Sequence, residues 1–144
     1  MPVSLTDIAR TIHAMAVGRL DYASDTDTAG RPDDWRSHAA ALLAQPGARY
    51  RGDCDDCAFT AAELAVRLGI PAAEVRVVMV DTQQRGNPKL VDHMVCALGP
   101  ADGAPLIIDN RAPDGPVRWD LLDYTWGDGM RASEPGVWRA TVSS

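Results

Sequence analysis

Disulfide chemistry is the first thing this sequence lacks. Its 144 residues hold three cysteines, Cys54, Cys57 and Cys96. That number is odd and too small for a disulfide framework, which points to a reducing compartment. No apolar run approaches the ~18 residues that cross a bilayer. The start, Met1-Pro2-Val3-Ser4-Leu5-Thr6-Asp7, has neither the basic nor the apolar region of a secretory leader, so the expectation is a cytoplasmic protein. Positive charge is in deficit: 14 basic against 20 acidic residues gives a net charge of −6. A surface of that sign repels phosphate backbones and anionic lipid, so neither nucleic acid nor membrane is an expected partner. Repeats, low-complexity tracts and linkers are also missing, which predicts a single domain over residues 1–144. With 46% hydrophobic and 24% charged residues, disorder, collagen and coiled coil are excluded. A chain this long buries roughly 68–70% of its unfolded surface and needs no staples.

What is present changes period halfway along. Ser4, with Asp7 three residues on, reads as the cap of a helix carrying Leu5, Ile8, Ile12, Met15 and Ala16 on one stripe. A loop over residues 25–31 leads to Pro32, and Trp35, Ala39, Leu42 and Leu43 predict a second helix that Pro46-Gly47 ends. A third helix is predicted from Cys54 to Leu68, capped by Asp53 and closed by Gly69. Its apolar face gathers Cys54, Cys57, Ala58, Ala61, Leu64, Ala65 and Leu68, and Asp56, Thr60, Glu63 and Arg67 fall on the other side. Strands follow at 75–80, 91–98 and 106–109, the last two joined by the turn-rich Gly99–Pro105 segment as an antiparallel hairpin. Residues 137–142 alternate and predict a last strand. Helices first and strands second make this an α+β chain, with a central helix packed on an antiparallel sheet.

The chemistry concentrates in Gly52-Asp53-Cys54-Asp55-Asp56-Cys57-Ala58. Cys54 falls in the first turn of a buried helix, where about half a positive charge and unpaired N–H groups favour a thiolate and can hold an oxyanion. A base is then needed. His93 stands inside a β-branched strand, where a polar residue requires a partner. If Leu98 pairs with Pro105, residue numbers across the hairpin sum to 203 and His93 faces Asn110. A sum of 202 puts it opposite Asp109. His93 and Asp109 share parity, so any register that places them on one face has an even sum. A nucleophile at a helix start, a strand histidine and an acid on the next strand describe a cysteine hydrolase acting through a thioester acyl-enzyme.

Three blocks in this order, Gly52-Asp53-Cys54-Asp55-Asp56, Asp92-His93-Met94-Val95 and Ile107-Ile108-Asp109-Asn110, resemble the bacterial transglutaminase-like cysteine peptidase family, which includes the periplasmic protease that releases biofilm adhesins in pseudomonads. The resemblance runs from about Trp35 to Trp138. It implies a papain-like, transglutaminase-like α+β fold and a peptide or protein substrate. It also implies a triad of Cys54 as nucleophile, His93 as base and Asp109 as orienting acid. The chemistry itself needs no cofactor. In the adhesin-cleaving members the acidic residues flanking the nucleophile bind calcium, and here those positions are Asp53 and Asp55. The chain departs from the family in carrying Cys57 where an aromatic residue is usual, in being shorter and in starting without a leader, which points to a cytoplasmic or phage-borne relative.

Other assignments compete for the same residues. Cys54, Cys57, His93 and Cys96 have the spacing of a zinc module, although His93 and Cys96, three apart on a strand, point to opposite faces. Cys54-x2-Cys57 also has redox-dithiol spacing, but in an acidic surround. A catalytically inactive peptide-binding domain of the same fold is a further alternative. Trp35 and Trp126 are candidate substrate-binding residues, with Tyr124 beside Trp126 as part of a rim.

Overall fold

The computed structural model describes residues 4–23, 37–45, 47–83, 92–99, 105–126, 130–131 and 134–135. Ser4 caps α1 (Leu5–Ala16) by accepting from the Asp7 N–H at 3.1 Å. One face of α1 buries Ala9, Ile12, His13 and Ala16. The chain then forms β1 (Leu20–Tyr22), which pairs in parallel with β2 (Tyr50–Gly52). Neither strand is foreshadowed in the sequence pattern, because three residues are too few to show a period. Between them lies α2 (Ala39–Ala44), with His38 as its cap residue. Trp35 and the expected start of this second helix at Pro32 lie outside the described residues.

The central helix, α3 (Cys54–Arg67), carries a full capping box: the Asp53 side chain accepts from the Asp55 and Asp56 N–H groups, and the Asp56 side chain accepts from the Asp53 N–H. Such caps are typically worth ~1 kcal/mol. The Asp56 carboxylate occupies the space a Cβ at residue 52 would need, so Gly52 is required for this tight entry. At the far end Gly69 takes φ +102°, which suits glycine. The expectation of a polar outer face fails over the first turns. Thr60 and Asp56 are buried, because α2 packs there and the His38 N–H donates to Thr60 Oγ1 at 2.9 Å. Leu68, expected on the apolar face, is instead exposed beyond the helix end.

Five strands form the main sheet: β3 (Val75–Asp81), β4 (His93–Leu98), β5 (Leu106–Ile108), β6 (Val117–Arg118) and β7 (Thr125–Trp126). Their spatial order is β6-β5-β4-β3-β7, with all neighbours antiparallel. A short separate pair, β8 (Met130–Arg131) and β9 (Glu134–Pro135), follows. The strand expected at 137–142 and Trp138 lie outside the described residues. Strict alternation gives the sheet two buried faces. Val75, Val77, Met94, Cys96, Leu98 and Ile108 share a core with α1 and α3. Val78, Val80, Val95, Ala97 and Ile107 form a second core under Trp119, Leu122, Tyr124 and Trp126. A fully buried side chain such as Leu64 or Ile107 contributes roughly 1.5–3 kcal/mol. No helix among the described residues is long and apolar enough to cross a membrane.

The hairpin register is even, as shared parity requires, but it is neither of the two simplest alignments. Cys96 pairs with Ile108 and Leu98 with Leu106, so paired numbers sum to 96 + 108 = 204. His93 and Asp109 are therefore diagonal neighbours on one face. The connection closes two residues later than a sum of 202 would have it, and Asp109 sits one residue past β5.

Candidate active site

Cys54 is the first residue of α3, as its cap dictates. Its sulfur meets the start of β4, where the Met94 N–H donates to it, and the Asp55 carboxylate lies 3.5 Å away. The expected low thiol pKa is not what the surroundings produce. Burial pushes the Cys54 thiol up to about 12, and the charges of Asp55 and Asp53 add to it. Only the Met94 hydrogen bond pulls the other way. The helix dipole is worth a fraction of a charge, and two full carboxylate charges within the same turn outweigh it. Tyr22, 63% exposed and paired in register with Gly52, feels the charges of Cys54, Asp53 and Asp55. It flanks Cys54 in a way no local motif signals.

His93 opens β4 and is buried. Its Nε2 lies 2.6 Å from Asp109 Oδ1, so the diagonal of the sheet is short enough for these two side chains to bridge. An ionised carboxylate only accepts, hence Nε2 carries the proton and donates. The other nitrogen, Nδ1, is buried and has no hydrogen-bond partner among the described residues. The ring is thus used in the opposite sense to the serine-protease template, in which Nδ1 faces the acid.

Asp109 is 1% exposed and is the best-anchored group in the site. Besides His93, its Oδ1 accepts the Arg111 N–H at 2.9 Å, and its Oδ2 accepts the Tyr124 hydroxyl at 2.5 Å. Burial works to raise its pKa. The His93 bond and charge, then the Tyr124 and Arg111 donors, outweigh that and hold the carboxyl below its usual range. The turn that follows is tied down at two points. His13 Nε2 on α1 donates to the Ala112 carbonyl at 2.8 Å. Arg111 Nη1 donates to Thr82 Oγ1 at 3.0 Å, and Thr82 and Gln83 in turn hold Asp92, the residue before His93. Tyr124 is the neighbour of Asp109 that the sequence did not reveal. It was expected at a substrate rim, and nothing in its local sequence reveals a bond to Asp109 across two strands.

The remaining candidates separate. Cys57 is buried, its Sγ donating to the Ala16 carbonyl at 3.6 Å. Burial pushes it up to about 12, where its neighbour Tyr50 opposes and the charges of Asp109 and Asp56 add. Cys96 is fully buried in the α3-facing core and is pushed higher still by that burial. All three cysteines are free. Cys54, Cys57, His93 and Cys96 do not converge: β4 is unbroken from His93 to Leu98, so His93 and Cys96 point to opposite faces. The group of potential ligands that does converge among the described residues is Asp53, Cys54 and Asp55, with ligand atoms within 4.8 Å of one another. Trp126 on β7 pairs with Val80, one strand away from His93. Its ring packs against Tyr124 and Trp119 at centroid distances of 5.8 and 6.2 Å.

No family profile and no curated protein matches the chain. Solved structures do. LapG of Legionella pneumophila, EGTA-treated, shares the fold at a TM-score of 0.58 and 20% identity over 83% of this chain and 59% of that one. A second structure of LapG from the same organism gives 0.56 and 20% identity over 83% and 62%, and calcium-bound LapG gives 0.56 and 21% identity over 81% and 61%. This chain spans about three fifths of the length of those proteins. Its architecture of helices against a mixed-order antiparallel sheet is the LapG-like α+β fold that the sequence resemblance implies.

Proposed function

We propose that this protein is a cysteine hydrolase of transglutaminase-like fold that cleaves an amide bond in a peptide or protein, with Cys54 as nucleophile, His93 as general base and Asp109 as the group that orients the imidazole. One observation carries this: a buried histidine gives one nitrogen to a fully anchored carboxylate and keeps the other without a partner, one residue from the backbone group that meets the Cys54 sulfur. Burial and the Asp55 charge keep the thiol protonated at neutral pH, so it needs a base. Transfer of its proton to His93 Nδ1 gives a thiolate–imidazolium pair. The thiolate then attacks the carbonyl carbon. The Asp53 side chain already takes the Asp55 and Asp56 N–H groups, which leaves the Cys54 N–H at the helix start to meet the oxyanion. His93 returns the proton to the leaving amine, a thioester forms, and water attacking with the same base releases the acid. The likeness to LapG supports the fold of such an enzyme.

Asp53 and Asp55 suit calcium as hard oxygen donors that converge beside the nucleophile. They are the residues that would hold it, and a bound ion would supply positive charge where two carboxylates now oppose the thiolate. Trp126 is proposed to line the substrate site. The experiment for the whole assignment is labelling by a peptide library bearing thiol-reactive warheads, comparing the wild type with Cys54→Ala. We expect sequence-selective labelling that Cys54→Ala abolishes. Labelling that persists in Cys54→Ala would overturn the assignment.

A further inference from the structure

We infer that the Tyr124 hydroxyl is a positioning group of this site: it fixes the Asp109 carboxylate and, through it, the imidazole of His93. The inference rests on the hydrolase proposal and extends it to a residue at the entry to a third strand. The geometry is specific. Asp109 is 1% exposed, so water does not reach it to satisfy its second oxygen. Oδ1 is shared between His93 and the Arg111 N–H, and Oδ2 is held by Tyr124. A carboxylate held at one oxygen can rotate about its Cβ–Cγ bond; one held at both cannot.

Tyr124 is itself anchored. It immediately precedes β7, whose Thr125 and Trp126 pair with Asp81 and Val80. Its ring stands edge-on to the His93 ring, at 6.0 Å and 80°. Val80 is also the partner of His93, so β7, β3 and β4 form one row that sets the distance between phenol and imidazole, and Asp109 reaches both from the end of β5.

The hydroxyl also sets how much negative charge His93 sees. A donor on Oδ2 draws charge away from Oδ1 and so tempers the attraction for the imidazolium. The other charged and titratable groups facing this cluster are Arg111 and Asp92, which act on Tyr124, and Cys57 on α3, which feels Asp109. Asp81 on β3 has opposite parity to Val80 and lies on the other face.

Tyr124→Phe keeps the ring and deletes the hydroxyl. The readout is the rate of Cys54 alkylation by iodoacetamide against pH, mapped by mass spectrometry, with a melting curve for each variant. For Tyr124→Phe we expect the plateau rate to fall roughly threefold or more as the carboxylate loses its second hold. Trp119→Phe, which alters the same aromatic cluster without touching Asp109, should lower the melting temperature and leave the plateau rate where it is. A Tyr124→Phe profile that coincides with the wild type, with only the melting temperature changed, would overturn the inference while the hydrolase proposal stood. A wild type in which Cys54 is not the preferred site would instead overturn the hydrolase proposal. If Tyr124→Phe does not fold, 3-fluorotyrosine placed at position 124 alone keeps the hydroxyl as a donor to Asp109, and 4-fluorophenylalanine there removes it. The first should keep the plateau rate and the second lower it, and equal rates in the two would overturn the inference.

Discussion

Removing the Asp55 charge should make Cys54 more reactive, against the usual expectation that trimming an active site slows it. Asp55 Oδ1 lies 3.5 Å from the sulfur and is the leading charge that raises the thiol, after burial. At that distance two unit charges repel by about 1.2 kcal/mol in a water-like medium and by about 4.7 kcal/mol at an effective dielectric of 20. Both groups are half-buried, so the two figures bracket the repulsion and the lower one is its floor. It corresponds to about one pKa unit, or roughly ten times more thiolate at any pH well below the midpoint. Asp55→Asn should therefore speed iodoacetamide labelling of Cys54 about tenfold in calcium-free buffer, while Cys57 and Cys96, both buried, stay unlabelled in brief treatment. Calcium added to the wild type should mimic the substitution, EGTA should reverse it, and Asp55→Asn should blunt the response. Unchanged or slower labelling in Asp55→Asn would refute the electrostatic reasoning. A wild type indifferent to calcium in both labelling and melting would remove Asp53 and Asp55 as ligands.

Two further outcomes follow from Asp109. Asp109→Asn keeps the shape but loses the charge that steadies the imidazolium. It should slow Cys54 alkylation near neutral pH, and turnover once a substrate is known, by about 10- to 10³-fold, less than the ~10⁴ of the serine-protease precedent because a thiol needs less help from its base. Asn110→Ala should spare both, and the reverse pattern would show that the wrong residue has been assigned as orienter. The folded carboxyl of Asp109 is held below its unfolded value. Its contribution to stability is therefore fully present above about pH 4 and is lost as pH falls through the folded value. Acid melting curves should show that loss in the wild type and a weaker one in Asp109→Asn; parallel curves would contradict it.

Much of this site was legible in the sequence, and the exceptions have physical causes. The cap at Asp53, the start of the central helix at Cys54 and its stop at Gly69 are local effects, and they are found where propensity and capping put them. The His93–Asp109 contact was legible through parity alone, since a sheet alternates strictly whatever its register. The register itself was not, because the connection between β4 and β5 decides it, and that connection closes later than the simplest hairpin. The β1–β2 pair is a parallel contact between three-residue segments nearly thirty positions apart, which leaves no periodic trace. Thr60 lies opposite the apolar face, and its burial was not legible because helical periodicity does not say how many neighbours a helix has; α2 covers it. The resting state of Cys54 was misread because burial, the largest influence, depends on how α3 meets β4. Tyr124 joins Asp109 only through the pairing of β7 with β3, which no short motif announces.

The central claim is that His93 takes the proton of Cys54, and the most direct measurement is the pH dependence of Cys54 alkylation in the wild type and in His93→Gln. Glutamine can still bond Asp109 but cannot serve as a base. The account predicts that the wild type alkylates near neutral pH, far below the thiol's own value of about 12. It predicts that His93→Gln loses that reactivity by about 10²–10⁴-fold and recovers it only as the pH climbs toward that value. A His93→Gln protein that alkylates at neutral pH as fast as the wild type, with its melting temperature unchanged, would contradict it.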